Sequence, residues 1–423
     1  MKICWFHLMP YTDLPADFTE RHDSVWVDID PKLFDATKAH FMYHDFLDEL
    51  ELAAAVGFDG ICVNEHHANA YGLMPSPNLI ASVLARSTRD AAIVVMGNSI
   101  ALYNPPMRVA EEMAMIDVIS GGRLVAGFPV GTPFDTCHSY GQNPGTLRDR
   151  YHEAHDLILR CWTEDRPFAF HGRFHQQPVV NTWPRPLQQP RPPIWIPGGG
   201  SVETWRWCAE RDYVYAYLSY FGYQAGEATM AGFWNEMDRL GKDRNPYRAG
   251  FLQFVGVAET EAEAMRLYRE PADYFYNRCL HVDPRWSNPP GYTTEATVRA
   301  KIASQVQLAA LESQRRILET SAKPSFEEMV AKGYVLVGTP DQVAERLREV
   351  AVALNAGQMM VLLQFGDMAK DLVRHNTELF AAQVMPQVAG LFDDEWENHW
   401  WPRALAAERR MAERHGAPAG VDG

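Results

Sequence analysis

Eight short apolar runs recur along the chain, most of them separated by amphipathic stretches. They are Ile3 to Leu8, Phe58 to Val63, Ala91 to Leu102, Arg123 to Phe128, Pro193 to Pro197, Tyr213 to Ser219, Phe251 to Val257 and Gln358 to Phe365. Between them the period changes to that of a helix. Phe46, Leu50 and Ala53 share one face over residues 43 to 57, and Val109, Met113 and Ile116 form another stripe. Further helices are expected over Asn78 to Arg86, Thr146 to Thr163 and Val202 to Arg211. Strands alternating with helices form parallel βαβ units, and at this count the expected α/β fold is a closed (β/α)8 TIM barrel. A doubly wound sheet is the alternative. Against it, no GxGxxG follows a strand, because the Gly198-Gly199-Gly200-Ser201 run lacks the third glycine, and no Walker A sequence occurs.

A chain of 423 residues is longer than one barrel requires. The excess falls in insertions after strands 1, 4 and 7, at about 10–42, 132–192 and 268–335. The barrel is thus expected over 1–392, followed by a C-terminal extension, 393–423, in which Trp396, Trp400 and Trp401 pack onto the barrel or a neighbouring subunit and Arg- and Glu-rich residues form a short helix. An insertion that follows a strand's carboxyl end lies on the catalytic face. The first one carries Tyr11, Phe18, Trp26, Phe34 and Phe41, which reads as a packed lid, with contact to a bulky apolar substrate as the alternative.

The formal charge of −15, with no dense run of Lys and Arg, argues against a nucleic-acid partner. No window approaches the ~18 uninterrupted apolar residues of a membrane span, and the first residues lack a signal peptide's apolar core, so a soluble, cytoplasmic protein is expected. Cys4, Cys62, Cys137, Cys161, Cys208 and Cys279 form no CxxC pair and read as reduced, mostly buried thiols.

The densest polar constellation, Asn64-Glu65-His66-His67, directly follows a strand, which in a barrel is the mouth. A histidine there titrates near neutrality and can move a proton either way, although paired loop histidines also serve as plain hydrogen-bonding groups. Metal binding is the weaker reading. Neighbouring side chains in extended chain point to opposite faces, and His152-Glu153-Ala154-His155 spaces its histidines by three, where H-E-x-x-H requires four. Pro197-Gly198-Gly199-Gly200-Ser201 ends a strand and opens a helix. Exposed N–H groups and the Ser201 hydroxyl there suit a phosphate, and equally suit an ordinary glycine turn with Ser201 as N-cap. Gly97-Asn98-Ser99-Ile100, small and polar at the third strand's end, leaves room for a flat ligand against backbone.

The chain resembles the bacterial luciferase-like flavin monooxygenases. The resemblance rests on five ordered pieces: FDGICVNEHH at 58–67, NPPMRVAEEMAMIDVISGGRLVAGFPVG at 104–131, RDRYHEAHDLILRCW at 148–162, PPIWIPGGGSVETWRWCAERD at 192–212, and the closing VGTPDQVAERL with LFAAQVMPQV. It implies a usually dimeric (β/α)8 barrel that binds FMN or reduced FMN at the strands' carboxyl ends. Reduced FMN and oxygen would form a flavin 4a-hydroperoxide that oxygenates a small organic substrate, by Baeyer–Villiger insertion or by hydroxylation.

By the same resemblance the catalytic histidine falls on His66. The flavin ring rests on a non-prolyl cis peptide that maps to Ser99-Ile100, with Asn98 and Ser99 at the ring edge. Gly198, Gly199, Gly200 and Ser201 hold the phosphate, with a tyrosine at the position of Tyr151 in some members. Two departures stand out. Pro129 and Val130 occupy the positions of luciferase's reactive cysteine and phosphate-binding arginine, and Gly198 and Gly199 those of a glutamate and a serine. Long-aldehyde light emission is therefore not expected, and phosphate binding would lean on backbone donors and hydroxyls. With no dinucleotide fingerprint, reduced flavin is expected from a separate reductase, and no metal is expected. The alternatives are a nicotinamide- or deazaflavin-dependent oxidoreductase on the same barrel, or a flavin-binding protein without catalysis. A homodimer is expected through the helices after the first strands, which carry Phe46, Leu50, Met113 and Met115. Met115 lies off the barrel-facing stripe.

Overall fold

The structure is a computed structural model that describes residues 1–303 and 324–406. Strands β1 (Lys2–Phe6), β2 (Gly60–Val63), β3 (Ala92–Val95) and β4 (Leu124–Gly127) pair in sequence, all parallel. Next come β5 (Phe168–His171) and β6 (Gln176–Val180), which pair only with each other as an antiparallel hairpin in the second insertion. The barrel resumes with β7 (Ile194–Gly198), which pairs with β4, and continues through β8 (Val214–Tyr217) and β9 (Ala249–Val257). A short β10 (Val335–Gly338) pairs with the last residues of β9, and β11 (Gln358–Leu362) closes the ring between β9 and β1.

Eight parallel strands therefore form a closed barrel with helices between them, and each of the eight apolar runs overlaps one. The hairpin and β10 went unread: β5 and β6 are short and mostly exposed, so they lack the apolar signature of a barrel strand. Nearly every residue in the barrel strands is buried, and the polar residues begin where the barrel's mouth begins.

Two boundaries differ from expectation. The helix expected from residue 43 spans Ala36–Ala55, because Asp35 caps its first turn by accepting from the N–H groups of Thr37 and Lys38. That turn faces solvent, so the apolar period begins a turn late. The strand expected from Ala91 to Leu102 ends at Val95. The chain then passes through a cis peptide at Met96-Gly97 and a 3-10 turn, Ile100–Leu102. The non-prolyl cis bond thus lies three residues before Ser99-Ile100, because β3 stops early.

The described part of the C-terminal extension packs beneath the barrel, at the strands' amino ends. Trp400 is buried, its indole N–H donates to the Asp212 carbonyl (3.0 Å), and Arg248 lies over its ring at 4.7 Å. Lys2 lies over Trp401, and the Met1 ammonium pairs with Asp393 at 3.0 Å. The Arg- and Glu-rich residues expected to form a helix lie outside the described residues, as does part of the third insertion. Among the described residues, no helix is long and apolar enough to cross a membrane.

Candidate active site

Four strand ends meet at the opposite face: Asn64–His67 after β2, Asn98 and Ser99 after β3, Phe128–Asp135 after β4, and Gly199–Ser201 after β7. Side chains at these positions converge in a barrel.

His66 and His67 point to different carboxylates. His66 Nδ1 lies 3.0 Å from Asp135 Oδ2, and His67 Nε2 lies 2.9 Å from Glu65 Oε1. Asp135 is buried. It also accepts from the His67 N–H (2.8 Å), the Asn69 amide (3.3 Å) and the Thr132 hydroxyl (2.8 Å). Burial raises its carboxyl, but His66 and these donors outweigh it and hold it below the usual range. An ionised carboxylate only accepts, so His66 Nδ1 carries the proton and Nε2 is left to act on the site. Trp26 and Tyr71 stand edge-on to the His66 ring at 5.1 and 4.8 Å and stack on each other at 4.0 Å. The Tyr71 hydroxyl bonds that of Tyr220, and burial pushes the Tyr71 phenol well up. Of the first insertion's aromatics, Tyr11, Phe18 and Trp26 are buried while Phe34 and Phe41 are exposed, as in a lid packed on its inner side.

Glu65 gathers the second group. It accepts from Tyr103 (2.6 Å), the Asn98 amide (3.3 Å), the Ser99 N–H (3.4 Å) and His67. Asn98 is fully buried, and its Oδ1 has no partner. Within the stretch Gly97-Asn98-Ser99-Ile100, the space that Gly97 leaves on its side-chain side is taken by the neighbouring strand. A Cβ at Gly97 would lie 1.9 Å from the Gly127 carbonyl oxygen, so the protein's own backbone fills that space. The two strand ends touch through their main chains, and the Asn98 N–H donates to Gly127 at 3.0 Å.

The glycine loop differs. A Cβ on Gly199 meets nothing within 4 Å, and one on Gly200 meets only the Thr229 side chain, at 3.4 Å and beyond, and the Trp205 ring at 4.0 Å. Ser201 accepts from Arg148 Nη2 (3.1 Å), while Arg148 Nε is buried with no partner. Arg148 was not anticipated. Tyr151, one turn further along the helix Leu147–Thr163, donates its hydroxyl to the Phe128 carbonyl at 2.6 Å. The side chain that this helix places beside Ser201 is Arg148. A guanidinium thus stands beside Ser201, reaching from a helix rather than from the loop after β4.

Asp135 also escaped the sequence reading, although Thr132-x-x-Asp135 has the spacing of a helix-start box, and the Asp135 N–H does reach the Thr132 hydroxyl (3.3 Å). It opens a π-helical turn, Phe134–Ser139, a conformation frequent at functional sites. The His152–His155 segment is structural. Glu153 accepts three backbone N–H groups of the β5–β6 hairpin, from Arg173, Phe174 and His175, and His155 bonds Tyr213.

Comparison with known proteins shows the family. The family model for luciferase-like monooxygenase matches residues 26–356. The oxygenase component of a flavin-dependent trigonelline monooxygenase from Acinetobacter baylyi is 32% identical over 157 residues, covering 37% of this chain and 43% of its own. An FMNH2-dependent dimethylsulfone monooxygenase of Pseudomonas putida is 27% identical over 298 residues, 68% of this chain and 71% of that one. Among solved structures, the oxygenating constituent of the P. putida 3,6-diketocamphane monooxygenase, a type II Baeyer–Villiger enzyme in complex with FMN, superposes with a TM-score of 0.66 at 18% identity, over 91% of this chain and 98% of that one. With the family model spanning most of its barrel, this chain belongs to the luciferase-like monooxygenases.

Proposed function

We propose that the protein is the oxygenase of a two-component system, using reduced FMN and molecular oxygen to oxygenate a small organic substrate, with a separate reductase supplying the flavin. The observation that carries this reading is a histidine held by a buried carboxylate at the same barrel mouth as a glycine loop backed by Ser201 and Arg148. The residues present fit FMN: Gly199 leaves open space for a phosphate, Arg148 Nε and Asn98 Oδ1 are buried polar atoms without partners, and the loop opens a helix. Gly199, Gly200, Ser201 and Arg148 would hold the phosphate, and Asn98 and Ser99 would meet the ring edge. When bound, reduced FMN supplies the electrons that activate oxygen. His66 Nε2 moves the proton that makes the transferred oxygen nucleophilic or electrophilic, Asp135 holds the ring, and Trp26 and Tyr71 keep water away.

Flavin titration tests the loop. Replacing Gly199 and Gly200 together by leucine is expected to weaken FMN binding at least tenfold by blocking backbone approach. The structure tolerates the first added carbon, so an unchanged titration would overturn the assignment of this loop to phosphate.

The protein is also read as a homodimer. Phe46, Leu50 and Met113 are buried against the barrel, whereas Met115, Val118 and Ile119 on helix Met107–Ser120 and Leu79 and Val83 on the adjoining helix Pro77–Ser87 are exposed. Five apolar side chains on two packed helices suit a two-fold interface. Met115→Glu is expected to shift sedimentation toward monomer, and a wild-type monomer near 47.9 kDa at micromolar concentration would refute the dimer.

A further inference from the structure

Beside the serine of the glycine loop stands a carboxylate that anion binding alone does not explain. Glu203 lies two residues into the helix Val202–Arg211, and its Oε2 accepts from the Ser201 hydroxyl at 3.1 Å. The third insertion holds it there. The Thr297 hydroxyl donates to Oε2 at 2.6 Å, and the Thr294 hydroxyl donates to Oε1. The same segment is tied to the catalytic side of the mouth: the Tyr292 hydroxyl donates to the Gly131 carbonyl (2.5 Å), and His138 Nε2 bonds the Trp286 carbonyl (3.1 Å).

The Ser201 hydroxyl has one proton. With Arg148 donating to its oxygen, that proton goes to Glu203, so Ser201 has none for a phosphate until the pair separates. The carboxylate also keeps its charge at any working pH. Burial raises it, but Thr294, Thr297, its own backbone N–H and Ser201 draw it down to about 2. A fixed negative charge thus adjoins the loop's serine, opposed by one guanidinium.

We propose that Glu203 is a specificity-setting residue that weakens the site's grip on the phosphate end of the flavin, keeping the bound cofactor exchangeable, and that Thr294 and Thr297 of the third insertion hold it in that place. The inference rests on the flavin reading above and deepens it. A phosphate ester bearing up to two negative charges meets like-charge repulsion from Glu203, whereas the same ring system without phosphate does not. An oxygenase that takes reduced flavin from a reductase and releases it oxidised requires such exchange.

Binding to the complete protein separates the outcomes, with flavin fluorescence as the readout. FMN and riboflavin, which lacks the phosphate, are titrated into wild type, Glu203→Gln and Glu203→Ala. The expected result is about tenfold tighter FMN binding in Glu203→Gln, slower FMN release, and riboflavin affinity unchanged within twofold. Glu203→Ala removes the charge without leaving an amide to re-form the threonine bonds, and it should tighten FMN as well. Arg148→Met is expected to do the reverse, weakening FMN alone. FMN affinity that is unchanged or reduced in both Glu203 variants, with wild type binding FMN, overturns this inference and leaves the flavin reading standing. No flavin binding by wild type or any variant overturns both.

Discussion

His66→Ala is expected to leave the barrel and flavin binding intact while lowering substrate oxygenation per turnover of reduced flavin by about 10²-fold or more, the usual scale for a positioned acid or base. The electrons would instead appear as hydrogen peroxide. The fold should persist because His66 belongs to no strand and Asp135, its hydrogen-bond partner, keeps the bonds from the His67 N–H, Asn69 and Thr132. Asp135→Asn adds a second readout. An amide can donate as well as accept, so it no longer holds the proton on Nδ1, and the imidazolium loses its counter-charge. Coupled product formation should fall by roughly tenfold or more. His67→Ala should act differently. His67 is buried against Glu65, which gathers Tyr103, Asn98 and Ser99, so its loss should lower thermal stability more than coupling. Product yields in His66→Ala and Asp135→Asn equal to wild type would reduce this pair to a structural contact.

The largest effect on folding is expected at Gly97. A methyl group there would sit 1.9 Å from the Gly127 carbonyl oxygen, and one at Gly127 would sit 2.1 Å from the Val95 carbonyl oxygen. Both obstacles are main chain, pinned by the β3–β4 pairing and by the bond from the Asn98 N–H to Gly127. A flexible side chain turns away for a small cost, but a strand pair inside a barrel has nowhere to move. Gly97→Ala should therefore cost more than the ~1–3 kcal/mol of ordinary overpacking and sharply reduce soluble yield. Gly199→Ala, which meets no atom within 4 Å, is the matched control and should fold normally. Thermal unfolding decides the matter: a Gly97→Ala midpoint within a few degrees of wild type would show that the strands can part after all.

What the sequence determined by itself was the ring of strands and the end at which chemistry gathers. A parallel strand covered on both faces must be a run of apolar residues, and polar residues can begin only where the strand leaves the core, so Phe58 to Val63 followed by Asn64-Glu65-His66-His67 announces both a strand and a mouth. The glycine loop was legible for the same local reason, since Ile194–Gly198 and Val202–Arg211 carry their own periods on either side of it. Only the tertiary structure decided which groups meet there. Asp135 lies 69 residues from His66, Arg148 lies 53 from Ser201, and Thr294 lies 91 from Glu203. Each pair joins an insertion or an outer helix to a strand end or to the helix start that follows one, and hydrophobic period carries no information about such a contact. Gly97 shows the same limit: the small, polar stretch from Gly97 to Ile100 looked like room for a ligand, and only the approach of Gly127 on the neighbouring strand showed what occupies the Gly97 end of it. Local periodicity reports which face of an element is buried, whereas the partner on that face is set by how the whole barrel closes.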